Sequence, residues 1–432
     1  MNPVQIEDLL SYRFLSSVQI DPQGRHAAFR VRQANEEGND YRSEIHIMEL
    51  DSRRTRRLTT AGKDGPFVWN RDGSAILFLS KREESQEESV NESFLYRIAL
   101  DGGEAEKLAT IPYQVEAIEL IAENTLLFTA RVPLITDEDK DATGYEILDE
   151  IPFWQNEKGF TSKRRVHLFS FDLESGTAKD LTEDELEVQA FDTSGDQVAF
   201  VARRFPGRAP ITDELWIYNL ATGESRCLSR DEYALGEVRF LSETMLIVLG
   251  TNMNRYGLGQ SREVLTVDLA SEEMRSITPD WDRSVGTSVG SDCRYGSGPI
   301  TQVDRGRLYL TITEGGNSYL DAVDPNGAVE RVVDLPGAID SFAVQGDTIL
   351  YAGLRGDRLQ EIYRYDKNGE HCLTDLNSDA CVDRIVSHPE PFIVTSKDET
   401  RIEAWVMKPA NYEDGKSYPT LLEVHGGPRG AY

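Results

Sequence analysis

One phrase recurs along this chain: an apolar strand, a turn rich in Asp and Gly, a second apolar strand, a loop, a third strand, a D-x-x-x-G turn and a closing strand. It reads most clearly in FVWNRDGSAILFLSKR (67–82) with SFLYRIALDGGEAEKLAT (93–110), and again in VQAFDTSGDQVAFVARR (188–204) with ELWIYNLATGESRCLSR (214–230). Weaker copies bring the starts to residues near 18, 67, 117, 188, 238, 300 and 342, seven in all. Within each copy apolar and polar residues alternate or run briefly apolar, with β-branched and aromatic enrichment. The D-G, S-G-D, L-D-G-G and A-T-G turns supply the positive-φ positions that tight hairpins need. Four strands in each repeat of ~40–60 residues is the pattern of propeller blades, each burying its face against the next. The expected fold is therefore all-β, a seven-bladed β-propeller over residues 15–377, with a solenoid as the competing architecture.

The flanks read differently. Residues 1–14 suggest a short helix or arm, with Asn2 as its cap, Pro3 in the first helical position and Gln5 placed for a capping box. The third copy carries an insertion, residues 131–165, that includes GYEILDEIPFWQNEKGFTSKRR. The adjacent Phe153 and Trp154 are expected to pack against a neighbour, because two large aromatic rings are costly to leave in water. An acidic stretch beginning at Asp137 resembles a calcium loop only superficially. Ala142 stands where such a loop needs Gly, and Leu148 where it needs a bidentate Glu.

Charge and composition exclude several classes. With 75 acids against 46 bases the formal charge is −29, which repels a polyanion and argues against nucleic acid as a partner. No apolar run approaches the ~20 residues of a membrane span, and the N-terminus lacks a secretory signal's basic start and apolar core. A soluble, cytoplasmic protein without membrane contact is expected. The four cysteines are scattered without a C-x-x-C pair, and the six histidines form no H-x-x-x-H or H-E-x-x-H pair. No cofactor or metal is expected. Self-association into a homo-oligomer is left open.

After Leu376 the pattern changes. Two extended segments, FIVTS and RIEAWVMKP, and a polar loop lead to the apolar PTLLEVHGGP, a strand running into a glycine turn. Together the blade hairpins, the EIPFWQNEKGFT insertion and WVMKPANY…PTLLEVHGGP resemble the N-terminal part of a bacterial acylaminoacyl-peptidase-like member of the prolyl oligopeptidase family of serine peptidases. The resemblance covers essentially the whole chain. It implies that residues 378–432 begin an α/β-hydrolase domain, of which only the first strands are present. Acyl transfer builds negative charge on the carbonyl oxygen, and preorganised N–H groups stabilise it. By resemblance the Gly427 amide is the oxyanion donor, with Gly426 the alternative and His425 supporting the loop. The nucleophile, acid and base are expected outside these residues.

GTSVG (286–290) is a formal G-x-S-x-G, yet Ser288 sits in a polar, glycine-rich stretch before the HGGP loop. A nucleophile elbow follows a buried strand, opens a helix and comes after that loop. The resemblance thus implies a serine peptidase for short peptides, this chain being its substrate-gating propeller with one oxyanion element, inactive alone. The alternative is a non-catalytic propeller that binds a protein partner.

Overall fold

The computed structural model describes residues 2–82, 91–134, 147–156, 158–287, 289–296, 298–427 and 430–432. Helix is almost absent: the described residues hold only three short 3-10 turns, Ile6–Ser11, Gly257–Gly259 and Ser378–Cys381. The expected N-terminal helix is the first of these. Gln5 caps it, its backbone N–H donating to the Asp8 carboxylate at 2.9 Å, while Asn2–Pro3 instead pair in parallel with Arg384–Ile385.

The sheets form a ring. The first blade is Arg13–Ile20, His26–Asn35, Asp40–Glu49 and Thr55–Arg57, the second Asp64–Trp69, Ala75–Ser80, Ser93–Ala99 and Glu106–Ile111. The third is Val115–Ala122, Thr125–Pro133, Arg164–Asp172 and Thr177–Asp180. A seven-stranded sheet spans Leu186 to Ser276. A fourth blade of five strands spans Ser284 to Val333, and a fifth comprises Ala338–Gln345, Thr348–Arg355, Arg358–Asp366 and Gly369–Cys372. Neighbours pair antiparallel throughout, as short hairpin connections dictate.

This corrects the seven-bladed expectation. Five self-contained blades and one double-width sheet make the ring, because the fourth and fifth sequence copies share the strand Ser225–Ser242 and merge. The polar stretch between them is part of that strand and is held in place by Asp213. Its buried carboxylate accepts the Leu235 N–H at 2.8 Å and is held by Arg203 and Gln189.

The hydrophobic cores lie between sheets, which is what makes the ring cohere. Phe29, Val31 and Met48 pack with Leu350 and Ile362 across the first and fifth blades. Leu77, Leu79 and Leu95 pack with Phe128 and Phe169 across the second and third, and the Phe128 and Phe169 rings stack at 4.9 Å. Ile247 and Val264 meet Leu310 and Ile312 between the double sheet and the fourth blade.

The other part of the fold expectation also fails. Residues 389–395 and 401–407 form only a two-stranded hairpin, and the TLLEVHGG stretch is irregular, so an α/β-hydrolase sheet is not seen among the described residues. Leu421 and Leu422 are 95% and 90% exposed. A strand exists only where a neighbour accepts its ladder, and among the described residues none lies beside this segment. The aromatic pair of the insertion is also corrected: Phe153 and Trp154 are about half exposed, at 47% and 50%, though Trp154 pairs in register with Phe160. Asp137 and most of the acidic stretch lie outside the described residues, as does Ser288.

Candidate functional site

The C-terminal segment docks against the loop between the first two strands of the fourth blade. The Gly290 N–H donates to the Ala431 carbonyl at 2.6 Å, and Val289 bridges Ala431 in parallel. Trp405 and the Tyr432 carbonyl close over Gly316, where a Cβ would lie 2.7 Å from each. Within this segment His425, Gly426 and Gly427 are exposed. Gly427 has φ +130°, a backbone conformation that a side chain disfavours. His425 places Nδ1 3.2 Å from the Gly426 carbonyl and sets its ring edge-on to Tyr432, centroids 6.1 Å apart. Among the described residues the Gly426 and Gly427 N–H groups have no hydrogen-bond partner.

Three histidines lie beside aspartates: His26 with Asp21 at 3.2 Å, His167 with Asp180 at 2.6 Å and His371 with Asp366 at 3.6 Å. None continues to a serine. The second ring nitrogen of His167 faces the Asp184 carbonyl at 3.1 Å. Among the described residues, no histidine ring nitrogen meets a serine hydroxyl, the contact a nucleophile and its base require. No group of His, Cys, Asp and Glu able to hold a metal ion occurs among the described residues either.

A cavity of about 1000 Å³ opens among the innermost strands, lined by residues from Val18 on the first blade round to Gln345 on the fifth. It contains a cluster that the sequence did not announce. Glu119 accepts a hydrogen bond from Thr193 at 2.5 Å, Asp192 accepts the Phe240 N–H at 2.6 Å, and Arg239 pairs with Glu237 at 2.7 Å. Burial, reinforced by Asp192, pushes the Glu119 carboxyl up to about 7 against the pull of Thr193 and Arg239. Burial also raises Asp192. The available sequence signal was one or two acids within an otherwise apolar innermost strand, as in VEAIELIA (115–122) and LEVQAFDTS (186–194). It is indistinguishable from a solvated face until the ring closes.

The fold and this opening define a β-propeller. Among solved structures the chain superposes on Pyrococcus horikoshii acylaminoacyl peptidase with a TM-score of 0.78 at 18% identity, covering 99% of this chain and 63% of that one. It superposes on a Mycobacterium tuberculosis puromycin-hydrolyzing peptidase with a TM-score of 0.69 at 15% identity, covering 98% and 62%. No family model matches the chain. In sequence it is 24% identical over 446 aligned residues to the uncharacterized peptidase YuxL of Bacillus subtilis, covering 99% of this chain and 67% of that protein. It is 21% identical to dipeptidyl-peptidase 5 of Porphyromonas gingivalis, covering 96% and 62%. The curated relatives are thus peptidases, and the chain spans about two thirds of their length. No helix among the described residues is long and apolar enough to cross a membrane.

Proposed function

We propose that these residues form the substrate-gating part of a serine peptidase of the acylaminoacyl-peptidase and prolyl oligopeptidase type, acting on short peptides. The observation that carries the reading is similarity to peptidases along 99% of the chain. In it, residues 1–14 are an arm, 15–377 the propeller, and 378–432 the part that joins the catalytic unit. The opening among the innermost strands admits a short extended peptide and excludes a folded protein.

The Gly427 amide faces the tetrahedral oxygen, with Gly426 as the alternative donor and His425 holding the loop. The Gly427 N–H, without a partner among the described residues, and the positive φ of Gly427 support this role. The serine, histidine and acid come from residues other than these, so the 432-residue chain alone does not turn over. The unpaired thiols Cys227, Cys293, Cys372 and Cys381 favour a reducing compartment, and we place the protein in the cytoplasm.

The test is kinetic. The 432-residue chain should leave peptide and aryl ester substrates intact. In a protein extended to the length of the relatives, Gly427→Val should lower kcat on the order of 10²–10³-fold with a smaller change in KM. Wild-type kcat in that variant would refute the oxyanion assignment. Absence of turnover from the extended protein would favour a binding module instead.

A further inference from the structure

Buried and half-buried arginines elsewhere in the fold are matched by acids: Arg82 with Asp64 at 2.9 Å, Arg203 with Asp213 at 3.0 Å, Arg355 with Glu370 at 2.8 Å, Arg294 with Asp340 at 3.1 Å. Arg30 and Arg32 are different. They stand two residues apart on the strand His26–Asn35 and therefore project from the same face. Arg30 is 9% exposed and its Nε is buried. Among the described residues neither side chain has a hydrogen-bond or ion-pair partner. Burial, then the charge of Arg32, draws Arg30 down to about 10, which leaves it charged at neutral pH.

The surroundings are built rather than open. Ser16, opposite Arg30 in register, has a buried hydroxyl without a partner. Tyr295 stacks on Tyr41 at 4.3 Å and lies 5.1 Å from the Arg32 guanidinium carbon. Gly296 presses so closely that a Cβ there would fall 2.6 Å from an Arg32 nitrogen and 3.2 Å from the Ser16 hydroxyl.

Two adjacent, largely desolvated cations without a counter-charge are costly to keep, and more conspicuous in a chain of net charge −29. An anion with paired oxygens relieves both, because guanidinium forks match a carboxylate bidentately. The same loop also ties this place to the C-terminal segment. Gly290 bonds Ala431, and Tyr295 comes five residues later, so the two are separated by at most about 18 Å of extended chain. A peptide of a few residues spans that distance.

We propose that Arg30 and Arg32 bind the carboxylate of a short peptide, either its C-terminus or an acidic side chain. The proposal rests on the peptidase reading for its substrate class. Calorimetric titration of the 432-residue chain with three probes tests it: acetyl-trialanine as the free acid, the same peptide as its amide, and an amide with glutamate in the middle position. The free acid or the glutamate peptide should bind at least about tenfold more tightly than the neutral amide, and which of them does identifies the carboxylate held. Arg32→Gln, the less buried of the two arginines, should erase that preference with the melting temperature little changed. Equal binding of all three peptides, or a preference that survives Arg32→Gln, overturns the proposal. Binding needs no turnover, so this result is independent of whether the extended protein is a peptidase.

Discussion

Glu119 shows how much the ring changes a single side chain. In an isolated strand it would be an ordinary solvated acid. Beside Asp192, and enclosed by the innermost strands, it holds its proton up to about 7. Its folded value lies above its unfolded value of 4.5, so between the two the unfolded chain has released a proton that the folded chain keeps. Stability should therefore fall as pH rises from 4.5 towards 7 and level off above. Glu119→Gln removes this term. Melting curves of variant and wild type should diverge across that window in favour of the variant, and a constant offset at all pH values would contradict the assignment.

At the scale of the element, turns decide where sheets can touch. The Asp324–Ala328 turn of the fourth blade is closed by the Asp324 carboxylate, which accepts the Asn326 and Ala328 N–H groups at 2.8 and 2.9 Å. Gly327 sits in it at φ +87°, with the Ile277 carbonyl so near that a Cβ would fall 1.8 Å away. Both the left-handed backbone and the close approach require glycine here. Gly327→Ala should cost about 2–4 kcal/mol, read by urea unfolding. A loss below about 0.5 kcal/mol, the range of an ordinary surface change, would show that the neighbouring sheets are not in firm contact there.

For the whole molecule the decisive feature is closure. The first blade is built wholly from the start of the propeller and the fifth wholly from its end, so no strand is shared across the seam. Side chains and apolar packing join them. Buried Asn377 accepts the Arg13 N–H at 2.8 Å and donates to the Arg13 and Gln360 carbonyls at 2.9 and 2.7 Å. Gln360 accepts the Leu15 N–H, and the Ser341 hydroxyl accepts that of Val18. Arg384 grips Asp8 with two bonds of 2.6 Å. Asn377→Ala leaves buried backbone groups unpartnered and should lower stability by about 2–3 kcal/mol in urea unfolding. Hydrogen exchange should rise first in the first and fifth blades. Faster exchange confined to the third blade would mean the ring is not held at this seam.

The order of strands and turns was legible in the sequence because its causes are local. Alternation places side chains on two faces, and a turn such as Asn70–Ser74 carries its own closure in the Asp72 and Asn70 side chains. What lay beyond reach depends on partners far along the chain. Asp213 holds the stretch around Leu235 in a strand shared by two copies, and the TLLEVHGG stretch stays irregular without a neighbouring strand. FRVRQ (29–33) reads as an alternating strand; that Arg30 and Arg32 end up enclosed with no acid beside them among the described residues was decided by the arrival of Tyr295 and Gly296, more than 260 residues later. Local propensity is written residue by residue, whereas ladder pairing, burial and charge compensation are properties of which distant segments meet.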